Sequence, residues 1–243
     1  MGLVKFMKRI FFCLLAVPSL LCAENLADGV VKPNKQVIVS SPVLQELIQE
    51  VLVEEGDEVK QGQILVQLRN QREALAVQQA EKLIVQKEFV ARGMKRLFKD
   101  KMGSEEKALA AETDLELAKL GLEARKIELE EKSIRAPLTG IVVKKHKETG
   151  EAVDRTEKLV ELVDMDTVFV EFFLKPQSRE TVKEDKVVRV KIVDLGGVEF
   201  DGKITFIAPI NDAGSGLFRV KVHIPNADHR IKPNMKAVAD FDK

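Results

Sequence analysis

The spacing of apolar residues changes period twice along the chain. From Val53 to Leu68 (VEEGDEVKQGQILVQL), and again from His146 to Leu162 (HKETGEAVDRTEKLVEL), a turn glycine precedes sparse apolar positions at short, strand-like intervals. Gly56, Val59, Leu65 and Leu68 superpose on Gly150, Val153, Leu159 and Leu162 under one constant offset. This self-similarity predicts two small β-layers of one design. Neither half has enough apolar residues for a core of its own, so the two are expected to pack face to face.

Between the copies the period becomes helical. Ala76, Ala80, Leu83, Val90, Met94 and Leu97 follow a 4-3 spacing, with Lys87 as the polar interruption. After Lys99–Gly103 the spacing resumes at Ala108, Ala111, Leu115, Ala118, Leu122 and Leu129, with Arg125 as the interruption. Two stretches of about four heptads joined by a short turn predict an antiparallel helical hairpin. Each arm would be roughly 40–45 Å long at about 1.5 Å per residue. Ser104, with Glu105 and Glu106 behind it, reads as the N-cap of the second helix. An additional stripe, Leu117, Leu120, Ala124 and Ile127, is either a widening of the buried face or a second seam for a neighbouring subunit.

After Asp164 the chain alternates with period two. Strands are expected at 167–174, 187–193, 198–210, 217–225 and 236–241, with a short helix over 176–184. Five or six short strands and one small helix suggest a barrel closed on itself. Gln36–Ser41 reads as a strand ended by Pro42, and the polar segment before it, with Gly29 and Pro33, as a flexible lead-in.

Composition removes several function classes. Trp and Tyr are absent and Phe supplies all the aromatic side chains, while 39 basic residues balance 39 acidic ones. A base-stacking platform and a basic footprint are both missing, so nucleic acid is not an expected partner. Lys5, Lys8 and Arg9 precede an apolar run, Ile10–Leu21, that is broken by Pro18 and followed by Cys22-Ala23-Glu24. Its about 12–14 apolar residues fall short of the about 20 that span a bilayer, so it reads as a cleaved export signal. Leu21 is a poor residue before a lipidated cysteine, which makes Glu24 the expected mature start. Cys13 and Cys22 both lie in the signal, leaving no expected thiol site in the mature chain. His146, His223 and His229 lack ligand spacing and read as exposed strand or turn positions. The acids alternate with Lys and Arg as on solvated faces, and neither Gly196-Gly197 nor Gly214–Gly216 precedes a helix pattern. No catalytic set, cofactor or metal site is expected.

The expected layout is therefore a signal at 1–23, a lead-in at 24–35, a split domain at 36–69 and 134–164, a hairpin at 70–133 and a barrel at 165–243. In this order stand Ser41-Pro42, Val53-x-x-Gly56-Asp57-x-Val59-x-x-Gly62-Gln63-x-Leu65, and Ile134-Arg135-Ala136-Pro137-x-x-Gly140. Gly150-x-x-Val153 and Pro225-Asn226-x-x-x-x-Ile231-x-Pro233-Asn234-Met235 follow. The whole resembles the periplasmic adaptors, or membrane fusion proteins, of Gram-negative efflux and secretion systems. The resemblance implies a mainly β fold: a split lipoyl-like β-sandwich, interrupted by an antiparallel coiled-coil hairpin and followed by a small β-barrel. It implies a non-catalytic, periplasmic homo-oligomer, with inner-membrane association a further possibility. Such an adaptor links an inner-membrane transporter to an outer-membrane channel protein.

Three departures accompany it. Asn234 stands where the family has glycine, and asparagine is the commonest residue after glycine to accept a positive φ. The family's hairpin tip carries Arg, then Leu four on, then Ser seven further. Here Leu97 and Ser104 keep the second interval, Gly93 takes the arginine place and Arg92 sits one residue early. Arg92, Arg96, Leu97 and Ser104 are the expected partner-binding residues. Finally, many relatives continue into a membrane-proximal domain, for which no residues remain here. Two other functions compete: a structural coiled-coil envelope protein without transport, and a lipoyl or biotinyl carrier. A carrier needs a lysine on a tight turn between the half-motifs, where this chain has its hairpin.

Overall fold

The computed structural model describes residues 26–241. The expected export signal, including Cys13 and Cys22, lies outside the described residues. Two strands organise the rest: β1 (Leu26–Ser40) and β8 (Lys158–Leu174) pair antiparallel from Gly29↔Phe172 to Ser40↔Lys158. At about 3.3 Å per residue each runs roughly 50 Å, long enough to cross two domains.

The segment expected to be a flexible lead-in is instead the first half of β1, paired to β12 (Lys236–Asp240) as well as to β8. Its glycine and proline concealed the strand. A Cβ on Gly29 would come within 2.6 Å of the Phe172 ring, so glycine is what lets that ring fill the interior. Pro33 sits at the register shift between Pro33 and Lys35, a bulge where its missing N–H breaks no ladder bond.

Beyond the bulge the first half of β1 enters a barrel with β9 (Val187–Ile192), β10 (Val198–Ile207) and β11 (Phe218–Pro225). The strand order β1-β12-β9-β10-β11-β8 closes through the β1–β8 pairing. Strict alternation places Phe218, Val220, Val222 and Ile224 of β11 inward, together with Val188, Val190 and Ile192 of β9. Phe172 and Phe241 meet edge to face at 5.1 Å in this core. A single short 3-10 turn, Pro176–Arg179, replaces the longer helix expected there. Asn234 adopts φ 67 and its N–H donates to Val31 O, so the turn survives the loss of glycine.

The second half of β1 and the first half of β8 form one layer of a sandwich with β6 (Gly140–Lys145) and β3 (Glu58–Val59). The other layer has the order β5-β4-β2-β7, from Ser133–Arg135, Ile64–Leu68, Glu46–Val51 and Ala152–Val153. Strands from the two halves of the split domain are interleaved: β3 pairs with β6, β4 with β5 and β2 with β7. All the superposed apolar residues, Val59, Leu65, Leu68, Val153, Leu159 and Leu162, lie in one buried cluster. Gly56 and Gly150 match in conformation too, at φ 99 and 89, left-handed turns that favour glycine.

Because each half contributes to one core, damage on either side should unfold both. Leu68→Ala and Leu162→Ala are each expected to cost about 2–4 kcal/mol. Urea titrations of both variants, with hydrogen exchange resolved over 46–68 and 133–163, check this. Loss of protection confined to the mutated half would contradict the shared core.

Candidate functional site

The helical hairpin leaves the sandwich between β4 and β5, as α1 (Gln71–Lys99) and α2 (Glu105–Glu130). On α2 the seam holds the expected residues, with Ala108, Ala111 and Ala118 buried and Leu115, Leu122 and Leu129 partly so. On α1 it differs. The expected Ala76 is partly covered, but beyond it the covered face runs through Val77, Ala80, Ile84, Lys87, Ala91 and Met94, while Leu83, Val90 and Leu97 are exposed. Both choices satisfy a 4-3 spacing and share Ala80, Lys87 and Met94. Facing alanines allow close helix approach, and the bulkier Leu83 and Val90 are turned outward. The Lys87 interruption has a use, since its Nζ lies 2.6 Å from Asp114 Oδ2 across the seam. Nearer the tip Lys95 Nζ reaches Glu112 at 2.5 Å.

Turning the large residues outward leaves apolar stripes on both helices. Leu117, Leu120 and Ile127 are 61%, 67% and 55% exposed, which excludes the widened buried face. Leu75, Val85 and Phe89 are exposed on α1.

At the far end Met102 N–H donates to Leu97 O and closes the turn. Ser104 is a helix cap as expected, its Oγ accepting from Lys107 N–H at 3.2 Å. Leu97 and Ser104 come together at the tip, both exposed. Arg92 lies further down α1, its Nε donating to Glu88 O, and Arg96 faces Asp100 at 3.9 Å. Met102, 77% exposed, and Phe98 also stand at the tip. Sequence reasoning passed over both, because Phe98 lies off the heptad and Met102 lies in the loop.

At its root the hairpin is clamped by charge. Lys132, just after α2, sends its Nζ to Glu46 Oε2 of β2 at 2.8 Å and to Glu73 Oε1 of α1 at 3.2 Å. Arg69 Nε adds a contact to Glu46 at 3.3 Å. Burial alone would push the Lys132 ammonium down, but hydrogen bonds to Glu46 and Glu73 outweigh it and hold it above the usual lysine range. Burial likewise opposes charge on Glu46, yet Lys132 and the Leu47 N–H bring its carboxyl below the usual range. The clamp ties both helices to the sheet that β2 and β4 share.

Residues 35–164 match the family model for the CzcB-like, barrel-sandwich hybrid domain, and residues 167–243 match that for the CusB-like, beta-barrel domain. The chain belongs to the membrane fusion protein family. Among similar proteins is the cation efflux system protein CzcB of Alcaligenes sp. (strain CT14), 24% identical over 216 residues. That alignment covers 82% of this chain and 41% of the relative. The cobalt-zinc-cadmium resistance protein CzcB of Cupriavidus metallidurans aligns to the same extent. The chain thus spans about two fifths of the length of these curated relatives. In fold it resembles the MacA-MexA chimera carrying the Pseudomonas aeruginosa MexA alpha-hairpin, at TM-score 0.78 and 19% identity, covering 89% of this chain and 80% of that one. It also resembles the membrane fusion protein Spr0693 of Streptococcus pneumoniae R6, at TM-score 0.70 and 16% identity, covering 88% and 96%. Membrane fusion proteins share the split sandwich, hairpin and barrel, so the adaptor resemblance holds and the carrier alternative has no support. Among the described residues no helix is long and apolar enough to cross a membrane.

The root clamp has a definite pH window. Glu46, lowered when folded, stabilises above its unfolded value and loses this contribution as pH falls through its folded value. Lys132, raised when folded, stabilises below its unfolded value and loses this as pH rises through its folded value. Lys132→Met should therefore cost about 1–3 kcal/mol at neutral pH, between exposed and fully buried pairs. The deficit should shrink below the carboxylate range. Denaturation of both proteins from neutral to acid pH measures it, and a deficit independent of pH would contradict the clamp.

Proposed function

We propose that this chain is a non-catalytic periplasmic adaptor linking an inner-membrane transporter to an outer-membrane channel in a tripartite export system. The observation that carries the reading is the hairpin itself: a projecting arm with apolar residues on its flanks and tip that its own fold leaves uncovered. A coiled coil serving only its own stability would turn its large apolar residues into the seam. This one has alanine at its fully buried seam positions and leaves Leu83, Leu117 and Leu120 outside. The related cation efflux and cobalt-zinc-cadmium resistance proteins support an inorganic divalent cation as the class of cargo.

In this reading the flanks serve self-association. The outer stripe of α2 (Leu117, Leu120, Ala124, Ile127) meets the outer face of α1 (Leu75, Val85, Phe89) of the next copy. Two different faces make a heterologous contact, which closes into a ring when the rotation allows. The tip then contacts the channel through Leu97, Phe98 and Met102, with Arg92 and Arg96 offering charge to its acids or helix C-termini. Ser104 contributes by capping α2 and so shaping the turn.

Two experiments test these assignments. Leu117→Glu combined with Leu120→Glu should shift the protein towards monomer in sedimentation while helix content is retained. An unchanged assembly would remove α2 from the interface. Met102→Asp and Arg92→Asp should abolish crosslinking to the channel and export, with thermal midpoints close to wild type. Export persisting in both variants would remove the tip from docking and favour an envelope protein without a transport role.

A further inference from the structure

The strongest unexplained group outside the hairpin is His146. It follows β6, where its backbone N–H donates to Leu159 O at 2.9 Å. Its Nε2 is buried yet makes no hydrogen bond among the described residues. Buried polar atoms without a partner are rare and call for an explanation. The nearest acceptor, Glu161 Oε2 of β8, is 3.7 Å away, too far for a hydrogen bond. The other carboxylate oxygen of Glu161 is held by the side-chain amide of Gln36 from β1. Lys144 lies opposite Glu161 in the β6–β8 register, yet forms no ion pair with it among the described residues.

We propose that His146 Nε2 and Glu161 Oε2 form a site for one borderline divalent cation, zinc-like in its preferences. Two ligands each about 2.0–2.1 Å from such an ion lie about 3.4 Å apart at a tetrahedral angle. The observed gap reaches that with a few tenths of an ångström of movement. A cation there satisfies the imidazole lone pair and the carboxylate charge together. Imidazole with carboxylate selects zinc or cobalt over magnesium. Gln36 is a positioning residue, fixing the carboxylate so that Oε2 faces the ring. No third imidazole, thiol or carboxylate among the described residues joins the pair, so water completes the coordination. The site involves β1, β6 and β8, and cation there would brace the layer that carries the ribbon between domains. It stands independently of the adaptor reading and of the cargo.

The test uses the full chain, with its cysteines alkylated and bound metal removed by chelator. Zinc chloride is titrated while long-range proton–nitrogen NMR follows the imidazoles of His146, His223 and His229, assigned through single His→Asn variants. The expected result is a saturable shift of His146 Nε2, no shift with magnesium chloride, and unchanged His223. Glu161→Gln and Gln36→Ala should each weaken zinc binding about tenfold or more, in protein whose amide spectrum stays folded. Zinc leaving His146 unshifted, or binding Glu161→Gln as tightly, overturns the proposal. So does a response to acidification alone that zinc does not compete with, since a proton would then be the occupant. A shift at His229, which sits 2.9 Å from Asp166, in place of His146 also overturns it by locating the ion elsewhere.

Discussion

The antiparallel pairing of β1 with β8 runs from the mouth of the barrel to the end of the sandwich, and both domains are built on it. Without β1 the barrel cannot close, since β8 and β12 would each keep a free edge. Without it the sandwich loses the strand carrying Val39. The partners are more than 100 residues apart in sequence, so a large loop must close before this ladder forms. Once formed, a shift of one residue would turn both cores inside out, which fixes the register firmly. The bulge at Pro33/Lys35 lets one ribbon serve two sheets of different curvature.

The point where the ribbon passes between domains is held by polar groups. Asn34 Nδ2 donates to Asp164 Oδ2 at 2.9 Å beside the bulge. Asn226 is buried, and its amide donates to Met165 O and Ile231 O while its Oδ1 accepts from Ile231 N–H. Its own N–H donates to Asp166 O. A buried amide with every group used is specific in a way that an apolar contact is not. Two paired strands and this junction, in place of a single linker, define the angle between barrel and sandwich. The Lys132 clamp does the same for the hairpin, which would otherwise hang from two chain crossings.

What could be read from the sequence follows from which physics leaves a local trace. The repeat was legible because both copies need the same turn glycine and the same inward leucines. The α2 seam was legible because its 3-4 spacing holds from Ala108 to Leu129 with Arg125 as the one interruption. The α1 register was not, since Leu83 and Ile84, or Val90 and Ala91, are adjacent apolar residues that fit the spacing equally. What decides between them is how closely two backbones approach, a tertiary property. The first half of β1 was hidden for a related reason: Gly29 and Pro33 mark a loop by composition, and only the Phe172 ring and the bulge explain them. At the tip, Leu97 and Ser104 stand out in the sequence by their interval, whereas Met102 stands out only through its exposure. The neighbourhood of His146 left no trace in the sequence, because Glu161, and Gln36 behind it, come from strands distant from it in the chain.

The hairpin shows how a stable fold and an incomplete surface coexist in one element. The fully buried seam positions are all alanine, which contributes little area per residue, and Leu115, Leu122 and Leu129 are only partly covered. Cross-seam ion pairs at Lys87–Asp114 and Lys95–Glu112 fix orientation but, being largely exposed, add only about 0–1 kcal/mol each. Register and direction are thus set by the small residues, the charges and the root clamp. The larger hydrophobic contribution, from Leu75, Val85, Phe89, Leu117, Leu120 and Ile127, remains unspent on the outside. An arm built this way keeps its own seam and still presents an apolar surface. Moving those side chains into the seam would bury more apolar area within the hairpin and remove the apolar surface it exposes.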